Sequence, residues 1–275
     1  MKIAPTLTRR EIYERGVRRR SIMVASLSTA TVLLALVILI PMAPGWEAVK
    51  KSFFNWDIFA RTFPTLLSAF LLDVMIFAWC APAIAILGLA VALARDARSP
   101  ALYPLRLFGM LYTDIFRGIP VILVIYLIGF GVPGLGLPRP WNSPYIWGSL
   151  ALILTYAAYV AEIFRSGIES IHASQRAAAA SLGLSHTDTM RFVVLPQAIR
   201  RVVPANMNMF IALQKDVALL SFIGPVEILR QAGVFKSLLA NFTPYVAAAV
   251  IFLALTIPAT RFADHLMARQ HKARS

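Results

Sequence analysis

Ser174-Gln175-Arg176-Ala177-Ala178-Ala179-Ala180-Ser181-Leu182-Gly183, continued by Leu184 to Phe192 and closed by Val193-Val194-Leu195-Pro196, is a polar stretch set between strongly apolar segments. Its residues specify a helix, a stop and a second helix. Ser174 suits an N-cap, and the alanines after it are the strongest helix formers. Gly183 suits the left-handed residue that ends such a helix. Ser185-His186-Thr187-Asp188 then reads as a second start, a Ser followed three residues later by an acid. Pro196 is expected to end that second helix and turn the chain into the next apolar segment.

Outward from this loop the chain is greasy. Of 275 residues, 59% are hydrophobic and 15% charged, against about 45–50% and 25% in soluble domains. Several runs reach the roughly 20 residues a helix needs to cross a bilayer. Six spans are expected, near residues 21–42, 63–94, 107–132, 145–164, 202–224 and 245–262, the second overlong and so tilted or partly interfacial. The net charge of +14 finds its ordinary explanation in loops facing the cytoplasm, and no nucleic-acid-binding motif accompanies it. With the N-terminus inside, the inner segments hold nineteen Lys and Arg and the outer loops six: Lys50, Lys51, Arg61, Arg139, Arg230 and Lys236. Both termini are therefore expected in the cytoplasm. The first span is longer than a signal peptide's apolar core and lacks a convincing small-residue cleavage site, so it reads as a retained anchor. Tyr103, Trp141, Tyr145 and Trp147 fall near the expected interfaces, where aromatic residues anchor spans.

The spacing within the loop, Ala177-Ala178-Ala179, Gly183, Val193, Leu195-Pro196, resembles the EAA loop of permease subunits of binding-protein-dependent ABC importers, whose pattern is E-A-A, three residues, G, nine residues, I, one residue, L-P. Four further stretches narrow the resemblance to the polar amino acid branch of the histidine/glutamine type. Asp114-Ile115-Phe116-Arg117-Gly118-Ile119-Pro120 resembles E-L-F-R-G-T-P. Tyr156 to Gly167 is similar to A-Y-x-A-E-I-x-R-x-G. Leu195-Pro196-Gln197-Ala198-Ile199-Arg200 resembles L-P-Q-A-x-R. Asn208 with Leu213-Gln214-Lys215-Asp216-Val217-Ala218-Leu219 resembles N-x-F-I-x-L-x-K-D-T-S-L. Two departures stand out. Ala177 replaces the family's acid, and Val217 and Ala218 replace two hydroxyls.

The resemblance implies an all-α membrane protein with the type I ABC importer permease fold over residues 59–265. The family core has five spans, so residues 21–58 form an extra N-terminal helix and outer loop, between a basic tail at 1–20 and a short tail at 266–275. It implies that residues 165–200 carry the coupling loop, with Ala177, Ala178, Ala179, Gly183, Leu195 and Pro196 facing the ATPase. It also implies partners: ABC ATPase subunits, an extracytoplasmic solute-binding protein, a second permease copy or paralogue, the lipid bilayer of an inner membrane, and a small amino acid as cargo.

Ionisable side chains inside spans cost several kcal/mol unless paired or wet, so each is a candidate for function. Arg117 and Lys215 could donate to a substrate carboxylate. Glu162, Asp216 and Asp73 could accept its ammonium. Asn208 belongs to the same set through its motif. Pairing is the competing reading for each, with Arg165 lying about one turn from Glu162, and for Asp73, which no motif covers, pairing or snorkelling is the preferred one. Adjacent Lys215 and Asp216 point about 100° apart and cannot both face one cavity. Gly118-Ile119-Pro120 within the third span predicts a break or kink.

Nothing in the chain points to catalysis. There is no G-x-x-x-x-G-K-[ST], no H-E-x-x-H and no nucleophile elbow, no cofactor motif, and the lone Cys80 makes neither a disulfide nor a metal site. The expectation is a permease that imports a polar amino acid with energy from a separate ATPase. The alternatives are an ABC importer for another small polar solute such as an opine, and an ion-gradient-driven carrier that works alone. The carrier would have no use for the cytoplasmic loop.

Overall fold

The computed structural model describes residues 9–97 and 99–272, with side chains over 17–97 and 99–268. Most of the expected basic tail of 1–20 and most of the tail of 266–275 lie outside the described side chains. The chain divides into two compact units, residues 1–55 and 56–275.

The first unit contains α1 (Arg9–Leu39) and α2 (Trp46–Phe53). Over Val17–Leu39, α1 has a mean hydropathy of 2.5. Its hydroxyls are satisfied internally: Ser28 and Thr29 donate to Ala25 O, and Thr31 donates to Leu27 O, so they add little cost in an apolar surrounding. The outer loop expected after this helix holds an unforeseen turn of structure. α2 puts Glu47, Lys50 and Lys51 among Trp46, Val49 and Phe53, and the Trp46 and Phe54 rings lie 6.5 Å apart.

The second unit holds α3 (Trp56–Asp96), α4 (Tyr103–Gly118), α5 (Val121–Gly131), α6 (Pro144–Glu169), α7 (Ala173–Ser181), α8 (His186–Asp188), α9 (Leu195–Asp216), α10 (Ile228–Leu239) and α11 (Thr243–Lys272). Among the described residues, four helices are long and apolar enough to cross a membrane, and the count reaches six if each of two bent pairs is one span. The 41 residues of α3 extend about 60 Å, roughly twice the hydrocarbon thickness, which explains why its apolar run is overlong.

α6 is the central post, packed against α3, α4, α5 and α9. Small residues make this possible. Ala151, Ala157, Ala158 and Ala161 are wholly buried, and a Cβ on Gly167 would meet Val202 Cγ1 at 2.3 Å. Close backbone approach through small residues is how membrane helices gain contact without a hydrophobic drive from water. Larger side chains, among them Ile84, Ile125, Leu152, Leu213 and Leu220, fill the remaining space.

The two bent pairs are the irregular parts. The one including α4 and α5 turns by 105° across Ile119-Pro120, the break that Gly118-Ile119-Pro120 predicts. The other continues α9 through a 3-10 segment, Val217–Ile223, and turns by 52° into α10. Gly224 occupies φ +130° there, a region essentially reserved for glycine.

Candidate coupling loop and membrane groove

The polar loop is two helical pieces joined at a glycine, as its sequence specifies. Gly183 has φ +77°. Leu184 N donates to Ala179 O at 3.1 Å and Gly183 N to Ala180 O at 2.9 Å, the paired bonds of a Schellman stop. Ser185 caps the second piece, accepting from Asp188 N at 3.1 Å and donating to Asp188 Oδ2 at 2.6 Å. Two expectations require correction. The first cap is His172, whose Nδ1 accepts from Ser174 N at 3.2 Å, and Ser174 sits inside the first turn. Pro196 does not end the second helix. A π-helical segment, Thr189–Val194, joins α8 to α9, and Pro196 falls in the first turn of α9. A proline there forfeits no α-helical hydrogen bond that the wider turn had not already given up.

The loop is fastened to the membrane helices. Arg176 Nη2 donates to Ile168 O at 3.0 Å, and Arg201 Nη1 donates to Ser170 O at 2.6 Å. His186 Nε2 lies 3.5 Å from Asp96 Oδ2 at the end of α3. Ile168, Ile171, Val194 and Ala198 form a small core beneath. Ala177, Ala178, Ala180 and Pro196 are exposed, Leu195 is half-buried and Ala179 is buried. Two residues the motif reading passed over are conspicuous: Leu182 is 82% exposed and Phe192 63% exposed. Their signal was present in the sequence as apolar residues interrupting a polar loop.

The five candidate pathway residues separate into groups. Glu162 Oε2 takes Arg95 Nη1 at 2.9 Å and lies 3.6 Å from Arg117 Nη1, while Oε1 pairs with Arg165. Arg95 also donates to Thr113 Oγ1 at 3.0 Å. One carboxylate thus ties α3, α4 and α6 together. The expected partner Arg165 is present, and Arg95 joins it from 67 positions away. Arg117 and Glu162 also line a groove of about 490 Å³ with Tyr159, Ser166, Ser170, Arg201 and Met209. The Arg117 guanidinium lies 5.8 Å from the centre of the Tyr159 ring. Asn208, Lys215 and Asp216 do not line this groove. Lys215 and Asn208 are exposed, whereas Asp216 accepts from the Tyr156 hydroxyl at 2.7 Å. Lys215 and Asp216 therefore diverge, as their adjacency requires.

A family model described as binding-protein-dependent transport system inner membrane component matches residues 85–272. That span contains both the loop and the groove. The chain belongs to this family. Its relatives include the probable amino-acid permease YxeN of Bacillus subtilis (strain 168), 35% identical over 74% of this chain and 90% of that protein. Another is the probable glutamine ABC transporter permease GlnM of the same organism, 33% identical over 68% of this chain and 85% of the relative. The fold is that of a solved amino acid ABC transporter crystallised with histidines, with a TM-score of 0.69 and 30% identity over 76% of this chain and 96% of that one. The loop positions thus fall in a segment that is helical, capped and largely exposed in this chain.

Proposed function

We propose that this chain is the membrane permease subunit of an ATP-driven importer for a polar amino acid. In this reading it sits in the inner membrane with both termini in the cytoplasm and forms the pathway with a second permease subunit, identical or paralogous. Two ATPase subunits bind residues 165–200, and a solute-binding protein delivers cargo from the other side. The observation that carries the reading is the loop: two capped helical pieces fixed to α3 and α6, with Leu182 left 82% exposed. An apolar side chain held at the tip of a rigid polar element is suited to a partner's pocket.

The groove supports the class of cargo. Arg117 is 41% exposed and flanked by Tyr159, which leaves its guanidinium accessible to a carboxylate. Glu162, already held by three arginines, fixes Arg117 rather than taking the substrate ammonium. Asp216, oriented by Tyr156, is the better acceptor further along α9. ATP-driven closure of the ATPases would move the loop, and α9 would carry that movement past the groove.

The test is reconstitution with the cognate ATPase and binding protein, followed by ATP hydrolysis and uptake over a panel of amino acids. Hydrolysis should rise with one loaded binding protein. Gly183→Pro, which forbids φ +77°, should abolish uptake by detaching hydrolysis from transport or by weakening ATPase binding. Normal uptake in that variant would refute the lever role of the loop, and gradient-driven uptake without any ATPase would refute the importer.

A further inference from the structure

Asp73 and Glu227 are each wholly buried, and neither takes part in the groove or the loop. They meet at the start of α10. Glu227 is its N-cap: one oxygen accepts from Leu229 N at 2.7 Å and the other from Arg230 N at 2.8 Å. Asp73, contributed by α3, uses Oδ2 to accept from Ile228 N at 3.2 Å. Three successive peptide N–H groups of one helix start are thus divided between two carboxyls from distant parts of the chain.

The remaining oxygen poses the problem. Among the described residues, Oδ1 of Asp73 is buried and meets no donor, and the two carboxyls lie side by side, accepting from consecutive N–H groups of one helix start. Two ionised carboxylates in that position would repel each other in an apolar surrounding and leave a buried acceptor unsatisfied. Among the described residues, the charged or titratable groups along α10 and at the start of α11 are Arg230, Lys236 and Tyr245. The Arg230 guanidinium donates to Ser221 O at 2.9 Å, and Lys236 lies over the Phe242 ring. Tyr245 packs with the apolar cluster around Ile228. Among the described residues neither carboxyl has a salt bridge.

We propose that Asp73 and Glu227 share one proton, carried on Asp73 Oδ1 and donated to Glu227, so that the pair pins the start of α10 to α3 as a singly charged unit. The assignment to Asp73 follows from the bonds. Glu227 spends both oxygens accepting from N–H groups, which favours its ionised form. Asp73 accepts with one oxygen alone and has the other free to donate. The single negative charge then faces the partial positive charge of the α10 N-terminus.

The two acids are therefore not equivalent, and that asymmetry is testable. Asn at 73 can reproduce both roles, its oxygen accepting from Ile228 N and its amide donating to Glu227. Gln at 227 cannot, because its NH₂ would replace an acceptor where a backbone donor points. The experiment is infrared spectroscopy of the full transporter in lipid, wild type minus Asp73→Asn, with thermal stability and uptake measured on the same preparations. The expected spectrum has one protonated-carboxyl C=O band that shifts in D₂O and is lost in Asp73→Asn. Uptake should stay within about twofold of wild type in Asp73→Asn and fall about tenfold or more in Glu227→Gln and Asp73→Leu, as expected when a buried partner is left unsatisfied. Three results would overturn the proposal: no such band, equal damage from Asp73→Asn and Asp73→Leu, or a band-free pair whose stability rises with sodium, which would make the site a cation site. The band and the melting point do not depend on what is transported, so this proposal and the importer reading can fail separately.

Discussion

The two breaks in the helices of the second unit are built on different principles. Between α4 and α5 the chain turns by 105° with local means. Ile119 is extended at φ −99° and ψ 132°, and Pro120 occupies the cap position of α5 with no side-chain cap bond. A proline has no N–H to satisfy there, and the distant bond at the end of α4 is a long one, from the Tyr159 hydroxyl to Arg117 O at 3.4 Å. Between the 3-10 segment and α10 the turn is gentler, 52°, yet it draws on a side chain 155 positions away, since Ile228 N donates to Asp73. The first break is a property of three residues. The second is a property of the tertiary fold, so damage there should spread.

Substitutions can break or sharpen this contrast. Glu227→Ala should be the most harmful, leaving the Leu229 and Arg230 N–H groups and the proton on Asp73 without acceptors. A loss of about 3 kcal/mol or more is expected, read as a large drop in the melting temperature of the detergent-purified permease. Gly224→Ala should cost about 2 kcal/mol, since φ +130° is strained for any residue with a Cβ; the same measurement checks it. Glu162→Gln leaves Arg95, Arg117 and Arg165 facing one another beside the first break. These groups are partly solvated, so solvent screening holds the stability loss to about 1 kcal/mol, and the sharper readout is a raised substrate requirement in uptake assays. Gly118→Ala should change stability by less than about 0.5 kcal/mol, because a Cβ there meets nothing within 4 Å. If Gly118→Ala proved as harmful as Gly224→Ala, the contrast between a local and a tertiary break would be wrong.

The same distinction explains what could be read from the sequence. The membrane class follows from composition and the length of the apolar runs, and the first break from Gly118-Ile119-Pro120. The stop at Gly183 and the cap at Ser185 follow from local stereochemistry, as does the divergence of Lys215 from Asp216. The pairing of Glu162 with Arg165 follows from helical spacing. Features that depend on distant residues were not legible. Arg95 meets Glu162 from another helix, and Asp73 meets Ile228 N in the same way. Tyr156 orients Asp216 from 60 positions away. Pro196 misled for a related reason. Proline rules assume an α-helix, and the π-helical turn before it removes the conflict they anticipate. His172 was passed over as a cap because Ser174, a commoner capping residue, stands two positions on.

That π-helical turn has a mechanical consequence. Because the chain stays helical from His186 to Asp216, residues that grip Asp96 at one end and Tyr156 at the other belong to a single shaft, about 45 Å long at 1.5 Å per residue. A hinge at Pro196 would have absorbed motion at the polar end. A helix continuous through Pro204 would deliver it, as translation along one axis and rotation about it, so that turning α8 would turn Asp216. The wide turn near its base then acts less as a joint than as a spline, the place where one residue of slack can be taken up without uncoupling the two ends.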